Sequence, residues 1–233
     1  AKTERLGLEA AQLRDELTGA EDDAGNLARS AEAAVAARLT AEAALEAAEE
    51  LGKDGASVEV LERGPVRAVI RVKTPFRNSL FVQDLILYAG CARLDVRMTA
   101  DWQERNLMIK AAFPVKAASP LAEFEVPFGS ISRPPDGNEV PALRWVDVSD
   151  AAGGGLGLLN DSKYGFDVKG GTLRMSVVHG PTYPDPEADR GRHELRYSLV
   201  PHAGDWRQSD ILRRGAEFNS SLLVRTGMPH KGV

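Results

Sequence analysis

One cysteine, four histidines and the absence of any long apolar run define what this 233-residue chain lacks. With Cys91 alone, an intrachain disulfide framework and a thiolate zinc site are both excluded, which accords with a reducing compartment. His179, His193, His202 and His230 form neither H-x-H nor H-E-x-x-H, so no metal site is read from them. No apolar stretch approaches the roughly 18–20 residues that span a bilayer. The opening AKTERLGLEAAQLRDEL carries no apolar core of a secretory signal. A cytoplasmic location without membrane contact is therefore expected. The net charge of −5 leaves no basic footprint for nucleic acid. No G-x-S-x-G elbow is present, and the glycine run Gly153–Gly157 lacks the Lys-Ser/Thr of a phosphate loop and enters a strand. That run reads as a flexible connection. Asn160-Asp-Ser and Asn219-Ser-Ser fit the glycosylation triplet, which matters only in a secreted protein.

What the chain does have falls into two segments. Residues 1–52 contain no proline and are rich in Ala, Glu, Leu and Arg. Leu6, Ala10, Leu13 and Leu17 share one helical face, and Leu27, Ala31, Val35, Leu39 and Leu45 share another. Gly19 before Glu21-Asp22-Asp23 separates them, and Gly52 is placed to end the second. An α-helical hairpin is expected, packed on the next domain or on a second subunit, because no sustained heptad supports a free coiled coil. From Ser57 onward the period changes to two, with Val, Ile, Thr and aromatic residues at strand frequency. Roughly ten short strands are separated by Gly, Pro and Asp turns, with no helical period between them. The fold expected for residues 57–233 is thus mainly β, a large antiparallel β-sandwich. The tail after Glu217 is weak in pattern and expected to wrap the surface.

Chemistry is sparse, and one loop stands out. Pro181-Thr-Tyr-Pro-Asp-Pro-Glu-Ala-Asp-Arg-Gly191 interrupts two good strands, and its prolines lower the entropy cost of holding one shape. Tyr183, Asp185, Asp189 and Arg190 offer an aromatic surface, acceptors and a donor, the equipment for gripping a sugar. The competing account has Asp185 and Asp189 capping turns and pairing with Arg190 or Arg192. Carboxylates this close on one loop are poor candidates for the two that flank a scissile glycosidic bond. Trp102 and Trp145 sit at strand ends and read as packing residues, while Trp206 is expected to cover an end of the sandwich.

LLNDSKYG at Leu158–Gly165, PTYPDPEADRG at Pro181–Gly191 and PHAGDW at Pro201–Trp206 resemble the C-terminal half of the α-mannosidases of glycoside hydrolase family 38. The likeness continues, in order, through EVLERGPVRAVIRV at Glu59–Val72 and QDLILYAGCARLDVRMTADWQERNLMIKAAFPV at Gln83–Val115. FEVPFGSISRP at Phe124–Pro134 and VPALRWVDVSD at Val140–Asp150 follow. The resemblance implies a galactose-mutarotase-like supersandwich at the rim of the active site of a retaining exo-α-mannosidase. It also implies a divalent metal, usually zinc, in the full-length enzyme.

In that family the metal ligands and nucleophile lie in a barrel opening with a G-H-x-H-x-D-x-x-W word, and this chain carries no such word. No H-H-D-A word is present either. No catalytic residue, metal ligand or cofactor is therefore assigned to this chain, which is expected to be inactive alone and to partner the missing catalytic domain. MSVVHGP puts His179 where relatives often carry an arginine. Only Gly52–Ala56 joins the helical segment to the sandwich, where the family carries more sheet, so a fragment or an internally shortened relative is expected. The sugar-contact candidates are Arg133, Tyr183, Asp185, Asp189, Arg190, His193 and His202. Two alternatives stand beside this reading. One is a stand-alone module that binds mannose-containing oligosaccharide through Tyr183, Asp185, Asp189, Arg190 and His193. The other is a scaffold that forms a homo-oligomer through its helices.

Overall fold

The computed structural model describes residues 55–116, 121–150, 154–220 and 222. The expected helical hairpin over 1–52 and most of the tail lie outside the described residues. The described chain forms thirteen strands. These are β1 (Ser57–Arg63), β2 (Arg67–Phe76), β3 (Ser79–Tyr88), β4 (Leu94–Trp102), β5 (Met108–Pro114), β6 (Ala122–Val126) and β7 (Gly129–Arg133). They continue through β8 (Val140–Pro141), β9 (Trp145–Asp150), β10 (Gly154–Asn160), β11 (Gly165–Lys169), β12 (Thr172–His179) and β13 (Gly191–His202). One helix, α1 (Ile211–Asn219), follows a short 3-10 turn at Trp206–Gln208. No helix among the described residues is long and apolar enough to cross a membrane.

Every pairing is antiparallel. A nine-stranded sheet runs β1-β2-β3-β4-β13-β10-β9-β6-β7, and a four-stranded sheet runs β5-β12-β11-β8. Alternate residues of the central strands face one another between the sheets. Val96, Met98, Ala100, Leu158, Leu195, Tyr197 and Leu199 come from the large sheet, and Phe166, Val168, Leu173, Met175 and Val177 from the small one. Phe113 of β5 lies 5.6 Å from Tyr197 of β13, ring to ring, joining the two layers. Trp102 is fully buried between Phe76 and Phe81, so its strand-end position is core packing.

Alternation of burial disappears in β9 and β10, where Trp145–Val148 and Leu156–Asn160 are buried in succession. The reason is a second cover on the outer face. Ile211 and Phe218 of α1, with Trp206, pack on Trp145, Leu159 and Val200. Trp206 therefore lies against the outer face, 5.6 Å from Trp145, rather than over an end of the sandwich. Gly157 of β10 serves this packing, and Gly155 the close approach of β9. A Cβ on Gly157 would stand 2.3 Å from Ile211 Cδ1, and one on Gly155 would stand 2.3 Å from the Val148 carbonyl oxygen. The run at 153–157 is thus close-packed strand from Gly154 onward, not a flexible connection.

Candidate sugar-contact end of the sandwich

Register places several turns at one end of the large sheet. Trp145 of β9 pairs with Leu159, Asn160 of β10 pairs with Tyr197, and Gly191 at the start of β13 pairs with Trp102. The loop from Gly180 to Arg190 and the β4–β5 loop emerge beside Gly191, whereas the β10–β11 and β6–β7 turns emerge six residues further along β13, at the level of Tyr197.

The acidic loop is moored to the β4–β5 loop. Asn106 donates its backbone N–H to Gly180 O at 2.6 Å, and Gly180 donates to Leu107 O at 2.9 Å. Glu187 accepts from both Arg105 and Arg190. Asp185 accepts from the Glu187 N–H at 2.9 Å, so it caps a turn as the competing account expects. Arg192 pairs with Glu194 at 2.6 Å instead of with an aspartate of the loop. Tyr183 is 88 % exposed, and Asp189 has a left-handed φ of 60°. The Asp189 carbonyl lies 2.7 Å from His193 Nε2. Tyr183, Asp185, Asp189, Arg190 and His193 are therefore brought together.

Arg133 and His202 are not. Arg133 closes β7 at its far end, donates to Pro141 O at 2.8 Å and stacks over the Phe124 ring at 5.1 Å. His202 lies on the outer face near the opposite end, its Nε2 2.7 Å from Asp147 Oδ2. Burial disfavours its charged form, but the Asp147 carboxylate and nearby backbone oxygens outweigh that and raise its pKa above the ordinary histidine value. Ser149 donates to the other Asp147 oxygen at 2.5 Å. One carboxylate and one imidazole do not make a zinc site, and among the described residues no group of three or more His, Cys, Asp or Glu is placed to hold a metal. The described residues do not fit the zinc that the family resemblance implies for the full-length enzyme.

Three further residues at this end were not among the candidates. Lys163, in the β10–β11 turn, feels both Asp161 and Asp189; burial lowers its pKa, and the two carboxylates act against that shift. Tyr164 and Phe128 project into solvent, the latter from the β6–β7 turn with φ of 65°. Between them lies a cleft of about 490 Å³ lined by Glu125, Arg144, Asn160 and Leu212 among others. Glu125 is buried and holds Arg144 through both side chain and backbone N–H. Asn160 is 2 % exposed, donates to Leu143 O and accepts from the Ser162 and Lys163 N–H groups. The Asn160 triplet is therefore a turn-forming device in the folded chain and no glycan acceptor. The word LLNDSKYG carries Lys163 and Tyr164, and FEVPFGSISRP carries Phe128, so the signal was present in the matched words. Side-chain direction was what the words could not give.

Residues 40–187 match the family described as "Glycosyl hydrolases family 38 C-terminal domain". The chain is 37% identical over 155 residues to human (Homo sapiens) Alpha-mannosidase 2C1, covering 63% of this chain and 15% of that protein. It is 33% identical over 180 residues to Alpha-mannosidase of Saccharomyces cerevisiae, covering 72% of this chain and 16% of that protein. The chain thus spans about one-sixth of the length of the curated relatives it matches. In structure it is similar to an alpha-mannosidase from Enterococcus faecalis V583, with a TM-score of 0.70 at 15% identity over 76% of this chain and 26% of that chain. That likeness speaks for the fold. The ordered words, the antiparallel sandwich and the family match agree: the chain belongs to the glycosyl hydrolases family 38 C-terminal domain family.

Proposed function

We propose that this chain is the supporting β-sandwich of a retaining α-mannosidase and touches terminal α-mannosyl groups with one end of its large sheet. The observation that carries the reading is the contact of His193 with the Asp189 carbonyl, with Lys163 in electrostatic reach of Asp189, on a loop that also presents the exposed Tyr183. Exposed rings offer flat apolar faces to a sugar's C–H side, and the charged groups offer hydrogen bonds to its hydroxyls. Catalysis would require an acid and a nucleophile facing the anomeric carbon from opposite sides. This chain supplies walls and contacts, and the catalytic domain is its natural partner. A cytoplasmic setting belongs to the same proposal.

The test has two arms. Purified chain with zinc and an aryl α-mannoside is expected to show no turnover; release of the aryl alcohol above blank would overturn the supporting role. Titration of the ¹⁵N-labelled chain with methyl α-mannoside at millimolar concentration reads the contact. Shifts confined to the residues of this end support sugar contact, and shifts elsewhere or none remove it. A stand-alone binding module is the second reading, favoured by the exposure of Phe128, Tyr164 and Tyr183. Tight, saturable binding by the isolated chain would select it.

A further inference from the structure

Phe128 stands where its backbone and its surroundings both disfavour it. Its φ of 65° is left-handed, a conformation that glycine takes without steric cost and a bulky side chain resists. Its ring is fully exposed, so no burial offsets that cost. A residue held in such a backbone region without local compensation points to contact with something outside the chain. What Phe128 lines is the cleft of about 490 Å³. Phe128 comes from the β6–β7 turn, Tyr164 from the β10–β11 turn and Leu212 from α1, so three separate elements supply its apolar rim. Tyr164 and Leu212 are themselves 62 and 54 % exposed. Exposed apolar side chains grouped around a concave surface mark a place where a ligand sits.

The polar lining decides what kind of ligand. The charged residues of the cleft are Glu125, Arg144 and Asp161. Arg144 is held by the buried Glu125, which accepts from both its side chain and its backbone N–H. Asp161 is held by Arg196 at 2.8 Å. Each charge thus has a partner of opposite sign, and an ionic ligand would have to break one of these pairs to bind. Uncharged hydrogen-bonding capacity is what remains. Tyr164 carries a hydroxyl, and Asn219 donates its amide N–H groups to the Asn160 and Gly215 carbonyls, which leaves its oxygen to accept. Aromatic rings at the rim and uncharged polar groups beside them suit a pyranose, whose C–H face stacks on a ring while its hydroxyls donate and accept.

We infer that this cleft is a binding site of its own for an uncharged pyranose, distinct from the contact at the 181–191 loop. The two places lie apart on the sheet. Gly191, where the loop ends, and Tyr197, level with the β10–β11 turn, are six residues or about 20 Å apart along β13. Strands β10 and β9 also lie between β13 and the β6–β7 hairpin that carries Phe128. A single sugar ring does not span that separation. Joined to the terminal α-mannosyl contact proposed above, on which this last step rests, a second site makes the ligand an oligosaccharide gripped at two points.

Titration of the intact ¹⁵N-labelled chain in the millimolar range tests this, with methyl α-mannoside as the neutral probe and mannose 6-phosphate as the charged one. Methyl α-mannoside is expected to give saturable shifts at Gly129, Ser162 and the Asn219 side-chain amide, and mannose 6-phosphate weaker ones. Tyr164→Ala is expected to weaken the cleft response about tenfold while the response at Tyr183 and His193 stays as it was. Leu212→Ala repeats the measurement from the helix side should the first variant fold poorly. No shift at the cleft overturns the inference, and so does a stronger response there to the phosphate. A cleft response that survives the rim substitution unchanged overturns it equally. Loop shifts without cleft shifts overturn this site and keep the loop contact. Cleft shifts without loop shifts keep this site and remove that contact.

Discussion

His202 Nε2 and Asp147 Oδ2 lie 2.7 Å apart on the outer face of the large sheet, with side chains 7 and 1 % exposed. The pair sits beside Gly157, whose missing Cβ leaves room for both Asp147 and Ile211. Because the folded chain raises the histidine pKa above its ordinary value near 6.5, folding favours the imidazolium. The stabilisation is complete below that ordinary value and is lost as pH rises through the folded one. Urea midpoints measured from mildly acidic to alkaline pH are expected to fall across this window. His202→Gln is expected to flatten that part of the profile, and an unchanged slope in the variant would count against the pair as its source.

Asp167 concentrates charge on the small sheet. Its carboxylate is fully buried and meets Lys110 Nζ at 2.6 Å and Arg174 Nε at 2.5 Å. Asp167→Ala removes the anion that Lys110 and Arg174 share, leaving Lys110 with Glu139 alone. Both cations retain a path to water, so the cost is about 1–3 kcal/mol, below the roughly 3–5 kcal/mol of a fully buried pair. Asp167→Asn keeps the shape and a hydrogen-bond acceptor, and it is expected to lose less. Chemical denaturation of the two variants gives the order directly; Asn costing as much as Ala would place the stabilisation in charge rather than shape.

Helix α1 is held by a single buried anchor. Ile211 is fully buried against Trp145, Leu159 and Val200, and Gly215 brings the helix backbone close to the Trp145 ring. Ile211→Ala is expected to cost about 2–4 kcal/mol, as large-to-small changes in a packed core do. Tryptophan emission provides a second readout, since Trp145 and Trp206 both border the anchor. A red shift before global unfolding would show α1 detaching first.

Much of this architecture could be read from residue order, and the failures have specific causes. Period two marked β2, β3, β4, β5, β12 and β13 because each has one core-facing side, and the Arg63-Gly64-Pro65 turn marked the first hairpin. Helix α1 escaped because its sequence, ILRRGAEFN, offers little beyond Ile211 and Phe218 to bury, although Ser209-Asp210 stand before it as a start signal. The role of Gly157 escaped because sequence cannot show that a helix side chain occupies the space above it. At the candidate end, the loop 181–191 declared itself through its prolines and charges. Lys163 and Phe128 did not, because a lysine between two strands and a phenylalanine beside a proline read as ordinary turn and core residues. Arg133 and His202, the other two candidates, lie apart from that loop, one at the Pro141 carbonyl and the other at a buried carboxylate, a separation that matched words cannot reveal.

Phe128 yields the sharpest separation of stability from sugar contact. Val126 pairs with Gly129, leaving Pro127 and Phe128 as the two turn residues. Proline followed by a positive φ is the pattern of a type II turn, in which glycine is the residue without steric cost. A phenylalanine there bears left-handed strain of about 1–2 kcal/mol and gains nothing from burial, since its ring is fully exposed. Glycine would relieve the strain and give back part of the gain through the freer unfolded chain. Phe128→Gly is therefore expected to leave the chain as stable as before or up to about 1 kcal/mol more stable. The same variant is expected to weaken the response of the Tyr164 and Lys163 turn to methyl α-mannoside, because one wall of the cleft is gone. Denaturation and titration of a single preparation measure both. A loss of stability would show that the ring packs against the chain after all, and an unchanged titration would take Phe128 out of the sugar-contacting end.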